Sequence, residues 1–507
     1  MCMSQISVTG LTFCYDGSFD NIFEDVSFSI DTNWRLGFIG RNGKGKTTFL
    51  RLLLGEHAYR GTISTTARFE YFPYRIPEEM LTLCADEIIS TIKPDRESWR
   101  VICELSLLGE DAEVLYRPFG MLSHGQRTKI LLAVLFAGDN EFLLIDEPTN
   151  HLDTGAREKV KDYLTGKNGF ILVSHDRDLL DACTDHVLVL NRQSIEVQSG
   201  NFSRWWENKQ RADRFAEAED EKRYKEIKKL KAAARRTAEW ADKSERSKIG
   251  FDPIKENDRS ISSRSYIGAK TKKMQSRAAD IKKRIDREIE EKEGLLNDIE
   301  RVRELRLTQL VHHSKVLVNV RELCLSYPGK QVLDGVTFTV EQGDRIALSG
   351  DNGCGKSTVI KRILTAAGAD TMTAHSESGI CECASGLVIS YADQDTSQVT
   401  GSVRDFCDAR GIDRSLFCTI LRHLGLEREQ FDKDISDYSE GQKKKALLAA
   451  SLCTPAHLYI WDEPLNFIDV FSRMQLEQLL SEYKPTMLFA EHDVRFREAV
   501  ANKTVNL

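Results

Sequence analysis

One ordered set of four short motifs occurs twice in this chain. The first set is GRNGKGKT from Gly40, LSHGQ from Leu122, LLIDE from Leu143 and SHD from Ser174. The second set is GDNGCGKS from Gly350, YSEGQ from Tyr438, YIWDE from Tyr459 and EHD from Glu491. Each motif returns 310 to 317 residues later, and a near-constant offset across four motifs indicates duplication of a whole domain. The chain therefore has to fold as two related domains with a third segment between them.

Length and composition agree with a globular protein of about three domains. The chain has 507 residues, of which 41% are hydrophobic and 29% are charged. Its longest apolar runs reach about eight residues, well short of the roughly 20 that a membrane span needs. The N-terminus lacks the basic and apolar regions of a secretory signal, so we expect a soluble, cytoplasmic protein without a membrane segment. The 12 cysteines form no C-x-x-C pair, which fits reduced thiols in protein cores.

Both motif sets lie in an alternation of strands and helices. Short apolar strands are predicted at Trp34–Ile39 and Asp344–Ser349, directly before the glycine-rich motifs, and helices are predicted directly after them. Strand, loop and helix in this order are the context that a phosphate-binding loop requires. Further apolar strands end at the two acidic pairs and just before the two histidines. The sequence thus predicts α/β domains with a parallel sheet and functional residues at the strand ends.

The segment between the two motif sets has a different pattern. From about residue 203 to 243 it holds no Gly or Pro, and residues 269–307 repeat apolar side chains every three or four positions. Between them, Gly250, Pro253 and Gly268 interrupt the helical pattern. We therefore predict a long antiparallel helical hairpin with an irregular tip near 244–268. The predicted domains are 1–203, 204–314 and 315–507.

Positive charge is concentrated in this interdomain linker. Lys222 to Arg284 contains 21 basic and 8 acidic residues, although the whole chain has a net charge of −7. Charge of one sign in a single element suggests a polyanionic partner for that element. A spacer between domains with solvated charged faces is the alternative explanation.

The glycine-rich motifs have the features of phosphate-binding loops. Their glycines let the backbone turn tightly and direct N–H groups at phosphate oxygens, and the helix that follows adds a favourable dipole. Lys46 and Lys356 are placed to contact the β- and γ-phosphates, and Thr47 and Ser357 are placed to bind Mg²⁺ through their hydroxyls. Two such loops, each with an acidic strand end downstream, are hard to explain as structural features alone.

Acidic and histidine side chains recur downstream of each loop. The aspartates are Asp146 and Asp462, the glutamates are Glu147 and Glu463, and the histidines are His175 and His492. The aspartates suit Mg²⁺, and the glutamates are placed to polarise an attacking water as general bases. The histidines follow a third apolar strand, from which a side chain can reach the γ-phosphate. The motifs therefore predict two nucleotide-hydrolysing sites.

LSHGQ and YSEGQ resemble the signature motif of ATP-binding cassette proteins. Asn150-His151-Leu152-Asp153 and Asn466-Phe467-Ile468-Asp469 then look like that family's dimer-contacting loops. The resemblance implies two cassettes of the P-loop NTPase fold, packed head to tail within a monomer. One site would combine the first loop with the second signature, and the other site would combine the second loop with the first signature. Neither cassette would then be a complete enzyme.

The same resemblance implies ATP and Mg²⁺ as ligands, and no Asn-Lys-x-Asp motif for guanine is present. In the first cassette the implied ATP-binding residues are Tyr15, Gly40, Asn42, Gly43, Gly45, Lys46, Thr47, Thr48, Ser123, Gly125 and Gln126. In the second cassette they are Tyr327, Gly350, Asn352, Gly353, Gly355, Lys356, Ser357, Thr358, Ser439, Gly441 and Gln442. The two tyrosines correspond to the family's adenine-stacking aromatics. The implied Mg²⁺ ligands are Thr47, Asp146, Ser357, Gln394 and Asp462.

The chain departs from the family pattern at one position. Gln394, in Ser390-Tyr391-Ala392-Asp393-Gln394, fits the family's glutamine that helps to hold Mg²⁺ and water, whereas the matching stretch of the first cassette ends in Tyr74. A phenol cannot offer Mg²⁺ a carbonyl oxygen. We therefore predict slower turnover at the Lys46 site than at the Lys356 site.

Two cassettes joined by a basic helical hairpin resemble the ABC-F family of ribosome-associated ATPases. This resemblance covers the whole chain and implies binding of the bacterial 70S ribosome at the tRNA exit site, near 23S rRNA and the P-site tRNA. The family binds with ATP bound, points its linker at the peptidyl-transferase centre and leaves after hydrolysis. The implied ribosome-facing residues of the linker are Lys248, Phe251, Pro253, Ile254, Lys255, Tyr266, Lys270, Lys272 and Lys273.

More than one biological function is possible for such an ATPase. A linker of about 111 residues and the stretch Phe69–Tyr74 look like the Lsa/Vga-type antibiotic-resistance members. They imply ribosome protection against lincosamides, pleuromutilins and streptogramin A compounds. A housekeeping translation factor that regulates elongation or relieves stalled ribosomes is the alternative. The ATPase subunit of a transporter is a more remote one, since the basic hairpin argues against it.

Overall fold

The structure is a computed structural model of the chain. It describes residues 5–15, 21–139, 141–150, 152–191, 194–246, 309–327, 330–369 and 376–507, together with Lys283. Contacts divide the chain into two compact units, one formed by residues 1–205 with 303–507 and the other by residues 206–302. The first unit contains both motif sets. The domain bounds predicted from sequence, with a linker at 204–314, stay a prediction.

Two sheets form the first cassette. The antiparallel sheet has the order β2-β1-β4, with β1 at Gln5–Phe13, β2 at Phe23–Asp31 and β4 at Arg60–Ser64. The larger sheet has the order β5-β6-β7-β3-β8-β9, in which only β9 is antiparallel. Its strands are β3 (Arg35–Gly40), β5 (Arg68–Phe72), β6 (Glu141–Asp146), β7 (Phe170–Val173), β8 (His186–Leu190) and β9 (Ile195–Ser199).

The helices of the first cassette flank this sheet and fill the region before the signature motif. They are α1 (Lys46–Leu53), α2 (Ala85–Ile92), α3 (Ser98–Leu107), α4 (His124–Phe136), α5 (Thr154–Thr165) and α6 (Arg177–Cys183). Short 3-10 helices occupy Glu78–Thr82, Ala112–Tyr116 and Phe119–Met121.

The second cassette repeats this arrangement. Its antiparallel sheet has the order β11-β10-β13, with β10 at Val316–Tyr327, β11 at Lys330–Glu341 and β13 at Ser376–Cys383. Its parallel sheet has the order β14-β15-β16-β12-β17, which matches β5-β6-β7-β3-β8 of the first cassette. These strands are β12 (Arg345–Ser349), β14 (Ile389–Ala392), β15 (Leu458–Asp462), β16 (Met487–Ala490) and β17 (Lys503–Asn506).

The helices of the second cassette also follow the first. After α7 (Phe202–Arg246), which belongs to the linker, they are α8 (Lys356–Ala366), α9 (Val403–Arg410), α10 (Arg414–His423), α11 (Glu440–Cys453), α12 (Val470–Tyr483) and α13 (Val494–Val500). Two 3-10 helices lie at Arg428–Asp432 and Ile435–Asp437.

The apolar strands explain where the motifs meet. All residues of β7, β15 and β16 are buried, so these runs form sheet cores covered on both faces. Because the strands are parallel, their carboxyl ends lie at one edge of each sheet. That edge carries the phosphate loop after β3 or β12, the acidic pair at the end of β6 or β15, and the histidine after β7 or β16. The predicted α/β architecture, with two related domains and a parallel sheet in each, is confirmed.

The first helix of the linker is also present. The absence of Gly and Pro from about 203 to 243 predicts a helix, and the structure has α7 at Phe202–Arg246, 45 residues long. Residues 244–246, predicted as the start of the irregular tip, are still helical, and apart from Lys283 the rest of the tip and the second helix of the predicted hairpin lie outside the described residues. So do the predicted ribosome-facing positions, which are Lys248, Phe251, Pro253, Ile254, Lys255, Tyr266, Lys270, Lys272 and Lys273.

Candidate functional site

Each phosphate loop depends on glycines with left-handed backbone conformations. Gly45, which precedes α1, has φ of 106°, and Gly355, which precedes α8, has φ of 104°. A Cβ at Gly45 would lie 2.6 Å from Cγ2 of Ile22, and one at Gly355 would lie 2.5 Å from Cδ2 of Leu333. Both the backbone angle and the close packing therefore require glycine. The loop that results directs its N–H groups towards one small volume at the helix N-terminus.

The side chain of each loop lysine packs against the backbone of its own phosphate loop. Lys46 Nζ donates to the carbonyl of Gly40 at 2.7 Å and to Oδ1 of Asn42 at 3.1 Å. Lys356 Nζ donates to the carbonyls of Gly350 and Asp351 at 2.8 and 2.9 Å. Burial lowers the pKa of Lys46, an effect that neighbouring carboxylates oppose. Both ammonium groups are thus held by oxygen atoms of their own loops.

In the first cassette, the aspartate at the end of β6 accepts hydrogen bonds from two hydroxyl groups. Oδ2 of Asp146 accepts hydrogen bonds from Thr47 Oγ1 and from the hydroxyl of Tyr71, each 3.1 Å long. Burial raises the pKa of Asp146, and in the second cassette burial raises the pKa of Asp462 to about 6. Tyr71 is a site residue that the sequence analysis missed. Its signal was available, because a tyrosine, Tyr391, recurs at the matching strand position.

The position that distinguishes the two cassettes is fixed by strand register. Phe72 pairs with the residue before Asp146, and Ala392 pairs with the residue before Asp462. Tyr74 and Gln394 therefore occupy equivalent positions two residues further on. The Tyr74 ring lies 5.6 Å from Nζ of Lys93, and Tyr71 is the phenol that contacts the aspartate.

The glutamates after the aspartates have a strained backbone. Glu147 has φ of 52° and Glu463 has φ of 46°, values that are rare for a residue with a side chain. Their N–H groups donate to the last carbonyls of β7 and β16 at 2.9 and 3.0 Å. Such strain is found where the surrounding structure holds a functional group in place. Burial, with Asp146 adding to it, raises the pKa of Glu147 to about 8.

The histidines are buried beside the glutamates. His175 Nε2 lies 3.3 Å from Oε1 of Glu147. Burial, together with nearby Lys46 and Arg473, lowers the pKa of His175 well below its usual value. Burial also lowers the pKa of His492 to about 4, with Lys356 adding to the effect. Both imidazoles are therefore neutral near pH 7.

The second site contains buried polar atoms whose hydrogen bonds a bound ligand could complete. Oδ1 of Asp462 and Nε2 of His492 are buried, and neither has a hydrogen-bond partner within the part of the chain that the structure describes. Orphan buried polar atoms are uncommon and are expected where a bound group completes their hydrogen bonds. The donor set also contains a hydroxyl and a carboxylate, which are ligands that Mg²⁺ prefers. These residues fit Mg²⁺ and a nucleoside triphosphate.

Both signature motifs form helix N-caps. Ser123 Oγ accepts from the N–H of Gln126, and Oε1 of Gln126 accepts from the N–H of Ser123, both at 3.2 Å. Ser439 and Gln442 form the same capping box at the start of α11. The glutamines therefore hold the helix terminus, and Gly125 and Gly441 lie between the capping partners.

The first site is assembled from both cassettes. Asn42 of the first phosphate loop donates from Nδ2 to the carbonyl of Phe467 at 2.8 Å. A Cβ at Gly441 of the second signature would collide with that same carbonyl and lie 3.2 Å from Asn42 Nδ2. Lys44 Nζ pairs with Oε1 of Glu427 at 2.6 Å. The first loop thus contacts the second signature and the second dimer-contacting loop, as a head-to-tail packing requires.

The second site is less tightly assembled. The atoms nearest to a Cβ at Gly125 belong to its own cassette, and Ala156 Cβ is the closest of them at 3.6 Å. The charges of Arg157 and Asp153 nevertheless act on His492, and a cleft lined by Arg157, His492 and Asp493 lies between the cassettes. The first cassette's dimer-contacting region therefore faces the second site without the signature contact seen at the first.

Two arginines join the cassettes close to the histidines. Arg177 Nη1 donates to Oε2 of Glu477 at 3.0 Å, and Nη2 donates to the other carboxylate oxygen. Arg495 binds Asp178 and donates from Nη2 to Oδ2 of Asp181 at 2.8 Å. Asp181 in turn accepts hydrogen bonds from Ser203, in the first turn of α7. The base of the linker helix is thus tied to both cassettes.

The remaining predicted ATP-binding residues lie around the two loops. The Tyr15 hydroxyl shares a hydrogen bond of 2.8 Å with Oγ1 of Thr48, and Tyr327 is the last residue of β10. Both rings are more than a third exposed, so an aromatic face is accessible on each. Gly43, Asn352, Gly353, Ser357 and Thr358 lie within the two loops or the first turns of α1 and α8. The side chain of Gln394 is exposed next to β14.

Known proteins resemble this chain across both cassettes. The ABC transporter family model matches residues 23–150 and 333–466, which together make up just over half of the chain. The ribosome protection protein VmlR of Bacillus subtilis is 27% identical over 500 residues, covering 98% of this chain and 85% of VmlR. The erythromycin resistance ATP-binding protein MsrA of Staphylococcus epidermidis is 26% identical over 482 residues, covering 92% of this chain and 91% of MsrA.

A solved structure supports the same fold. The archaeal ribosome recycling factor aABCE1, in complex with the ribosomal stalk protein aP1, superposes with a TM-score of 0.60. It is 17% identical and the match covers 98% of this chain and 87% of that one. Across the described residues, no helix combines the length and the apolar character that crossing a membrane would take.

Proposed function

Because this chain belongs to the ABC transporter family and is an ATP-hydrolysing enzyme, we propose that it uses ATP with Mg²⁺ to bind and leave the bacterial ribosome. The observation that carries the ATPase part is the first site, where Asn42, Gly441 and Phe467 converge from two cassettes. A site built from two halves exists only while the cassettes are together. Occupancy of the sites and the packing of the cassettes are therefore coupled.

The residues of each site have separate roles in this proposal. Thr47 and Asp146 would hold Mg²⁺ at the first site, and Ser357, Gln394 and Asp462 at the second, where the ion neutralises phosphate charge. Lys46 and Lys356 neutralise the β- and γ-phosphates from within the loops.

Hydrolysis needs a base and a group that orients the reactants. Glu147 and Glu463 in their ionised forms would accept the proton of the attacking water, and the raised pKa of Glu147 makes its carboxylate the stronger base once it is ionised. His175 and His492, held neutral by burial, hydrogen-bond the γ-phosphate or the water. The cross-cassette contacts close the site over the nucleotide and exclude solvent.

The ribosome as partner is supported by full-length similarity and by charge. The relative named as a ribosome protection protein is similar over 98% of this chain, so its linker region is included. Lys222 to Arg284 of this chain holds 21 basic and 8 acidic residues, which suits rRNA and tRNA phosphates. This points to an ABC-F type protein that acts in the cytoplasm.

We further propose that the ribosome-bound protein protects the peptidyl-transferase region from antibiotics. Two relatives carry resistance or protection in their names, and this chain has a long, basic segment between its cassettes. Lincosamides, pleuromutilins and streptogramin A compounds are the expected drugs. A housekeeping translation factor is the second candidate, since the described residues contain no feature that contacts a drug.

Trapping on ribosomes tests the partner. The double variant Glu147→Gln, Glu463→Gln should bind ATP without hydrolysing it and should co-sediment with 70S ribosomes when ATP is present. The control is the same variant with ADP, which should stay in the supernatant. Equal amounts in the pellet with ATP, with ADP and without nucleotide would exclude ATP-dependent ribosome binding.

Drug susceptibility separates protection from housekeeping. A sensitive bacterial host that expresses the parent chain should grow at higher concentrations of the three drug classes than a host that expresses the double glutamine variant. Equal growth of the two strains in every drug would contradict the protection role and favour the translation factor.

A further inference from the structure

Lys444 is a lysine buried behind the second ATP site. It is the fifth residue of α11, and only 1% of it is exposed. Its Nζ donates to the backbone carbonyl of Asp393 at 2.8 Å and to the backbone carbonyl of Asp462 at 3.2 Å. Burial of an ammonium is costly unless its hydrogen bonds are made. These two carbonyls are therefore part of the reason that the lysine is tolerated here.

The two carbonyls belong to the peptide bonds that directly precede Gln394 and Glu463, two residues with proposed roles at the second ATP site. The Asp393 carbonyl precedes Gln394, and the Asp462 carbonyl precedes Glu463. The N–H of Glu463 donates to the carbonyl of Ala490 at 3.0 Å, so the peptide between Asp462 and Glu463 is held on both sides. A single ammonium thus joins the end of β14 to the end of β15, the two segments that carry Gln394 and Asp462.

The charges around Lys444 agree with a cation in this position. Burial lowers the pKa of Lys444, and the carboxylates of Asp462, Glu491, Glu463 and Asp393 raise it. The lysine therefore also places positive charge behind a group of acidic residues that would otherwise repel one another.

The equivalent position of the first cassette does not carry a lysine. The fifth residue of α4 is Thr128, which occupies the position of Lys444 relative to the capping serine. A threonine hydroxyl lies on Cβ and cannot span the distance that a four-carbon stem covers. The next residue is a buried lysine in both cassettes, but Lys129 pairs with Glu110 whereas Lys445 pairs with Asp469. The difference at Lys444 is therefore specific to the second site.

We propose that Lys444 is a positioning residue of the second ATP site, which holds the Mg²⁺ ligands Gln394 and Asp462 in register, and that the first site works without an equivalent. This inference rests on the Mg²⁺-ATP site of the proposed function. It also connects the two sites, because the same helix begins with the signature that faces the first phosphate loop. Movement of α11 at the first site would be transmitted to the Mg²⁺ ligands of the second.

Nucleotide binding with and without Mg²⁺ tests the proposal in the full-length chain. Lys46→Met disables the first loop, so that a fluorescent ATP analogue reports on the second site, and affinity is measured in Mg²⁺ and in EDTA. Lys444→Met, added to this background, should reduce the gain in affinity that Mg²⁺ gives by about tenfold, because partners behind metal ligands typically contribute that much. Affinity in EDTA should stay within about twofold of the Lys46→Met parent. Lys444→Gln keeps a hydrogen-bond donor, so its Mg²⁺-dependent gain in affinity should lie between those of the Lys46→Met parent and the Lys444→Met variant.

The mirrored control uses Thr128→Val in a Lys356→Met background, where Mg²⁺ dependence should not change. A Lys444→Met protein that melts normally and keeps the full Mg²⁺ gain would overturn the proposal. An equal loss in Mg²⁺ and in EDTA would also overturn it, because this is the result of a merely structural role. If the Lys46→Met parent itself shows no Mg²⁺-dependent binding, the site assignment fails first and the proposal fails with it.

Discussion

Nδ2 of Asn42 and the backbone carbonyl of Phe467 lie 2.8 Å apart, although 425 residues separate them in the chain. Asn42 belongs to the first phosphate loop, and Phe467 belongs to the loop that precedes α12. The same asparagine accepts from Lys46 through its other amide atom. One side chain thus links the lysine of the first site to the opposite cassette, so the geometry of that site depends on how the cassettes are packed.

Replacing this asparagine should weaken the first site selectively. Asn42→Ala removes the bond to Phe467 and the acceptor for Lys46, and hydrogen bonds that involve charged groups contribute about 1.5–3 kcal/mol. We expect ATP affinity at the first site, measured in a Lys356→Met background, to fall about tenfold. Asn33→Ala, in an exposed turn, is the control and should bind like the parent. Unchanged affinity for Asn42→Ala would show that the contact does not contribute to binding.

The two sites should hydrolyse ATP at different rates. Tyr74 lies where the second cassette has Gln394, a Mg²⁺ ligand in the proposed function, so under that proposal the first site lacks one carbonyl oxygen for Mg²⁺. Glu463→Gln should therefore lower total phosphate release by more than Glu147→Gln does, and the double variant should fall by about 10²-fold or more. Turnover that survives Glu463→Gln but disappears with Glu147→Gln would assign the faster site to the first cassette instead.

The raised pKa of Glu147 has a consequence for stability. A glutamate with a pKa of about 8 when folded and about 4.5 when unfolded binds its proton more tightly in the folded state, so its contribution to stability decreases as pH rises through 8. Glu147→Gln removes this dependence. Its stabilising effect on the nucleotide-free protein should grow by about 2.7 kcal/mol between pH 6 and pH 9.

Thermal or urea unfolding at both pH values measures this difference. The exposed Glu79→Gln serves as the control, and its effect should be the same at pH 6 and pH 9. If Glu147→Gln changes stability equally at the two pH values, Glu147 does not titrate near 8 in the folded protein.

The ion pair between Arg177 and Glu477 should stabilise the packing of the cassettes. Only 8% of the Arg177 side chain and 12% of the Glu477 side chain are exposed, so removing one partner leaves a buried charge. Arg177→Met should destabilise the chain by about 3 kcal/mol. Arg177→Met with Glu477→Leu should recover much of that loss, because no charge is then left unpaired. Additive losses in this double-mutant cycle would mean that the two side chains do not interact.

Local sequence determined much of the fold. The glycine-rich loops, the capping serines and the apolar strands each act within a few residues, so their structure can be read from short motifs. The 45-residue helix α7 also follows from composition, since Gly and Pro are absent from its predicted span. The alternation of apolar strands and helices in both motif sets then indicated the parallel sheets.

Contacts between segments that are distant in the chain could not be predicted from short local motifs. The bond from Asn42 to Phe467 uses a backbone carbonyl, which carries no side-chain signature in the sequence. The hydroxyl of Tyr71 reaches Asp146 because β5 pairs in a particular register with β6. The family pattern of motifs points instead to Tyr74, three residues later, as the position that matches Gln394. Lys444 is similar, since its role depends on two backbone carbonyls that converge only in the folded chain.

The bond network of Arg495 gives the linker helix a mechanical anchor. His492 lies three residues before Arg495, and Arg495 binds Asp181, the acceptor for the N–H of Ser203 at 2.7 Å. A shift of the segment that carries His492 would therefore move the hydrogen-bond partner of Ser203, in the first turn of α7. His492 of the second site and the base of the linker helix would in this way move together, although they belong to different cassettes.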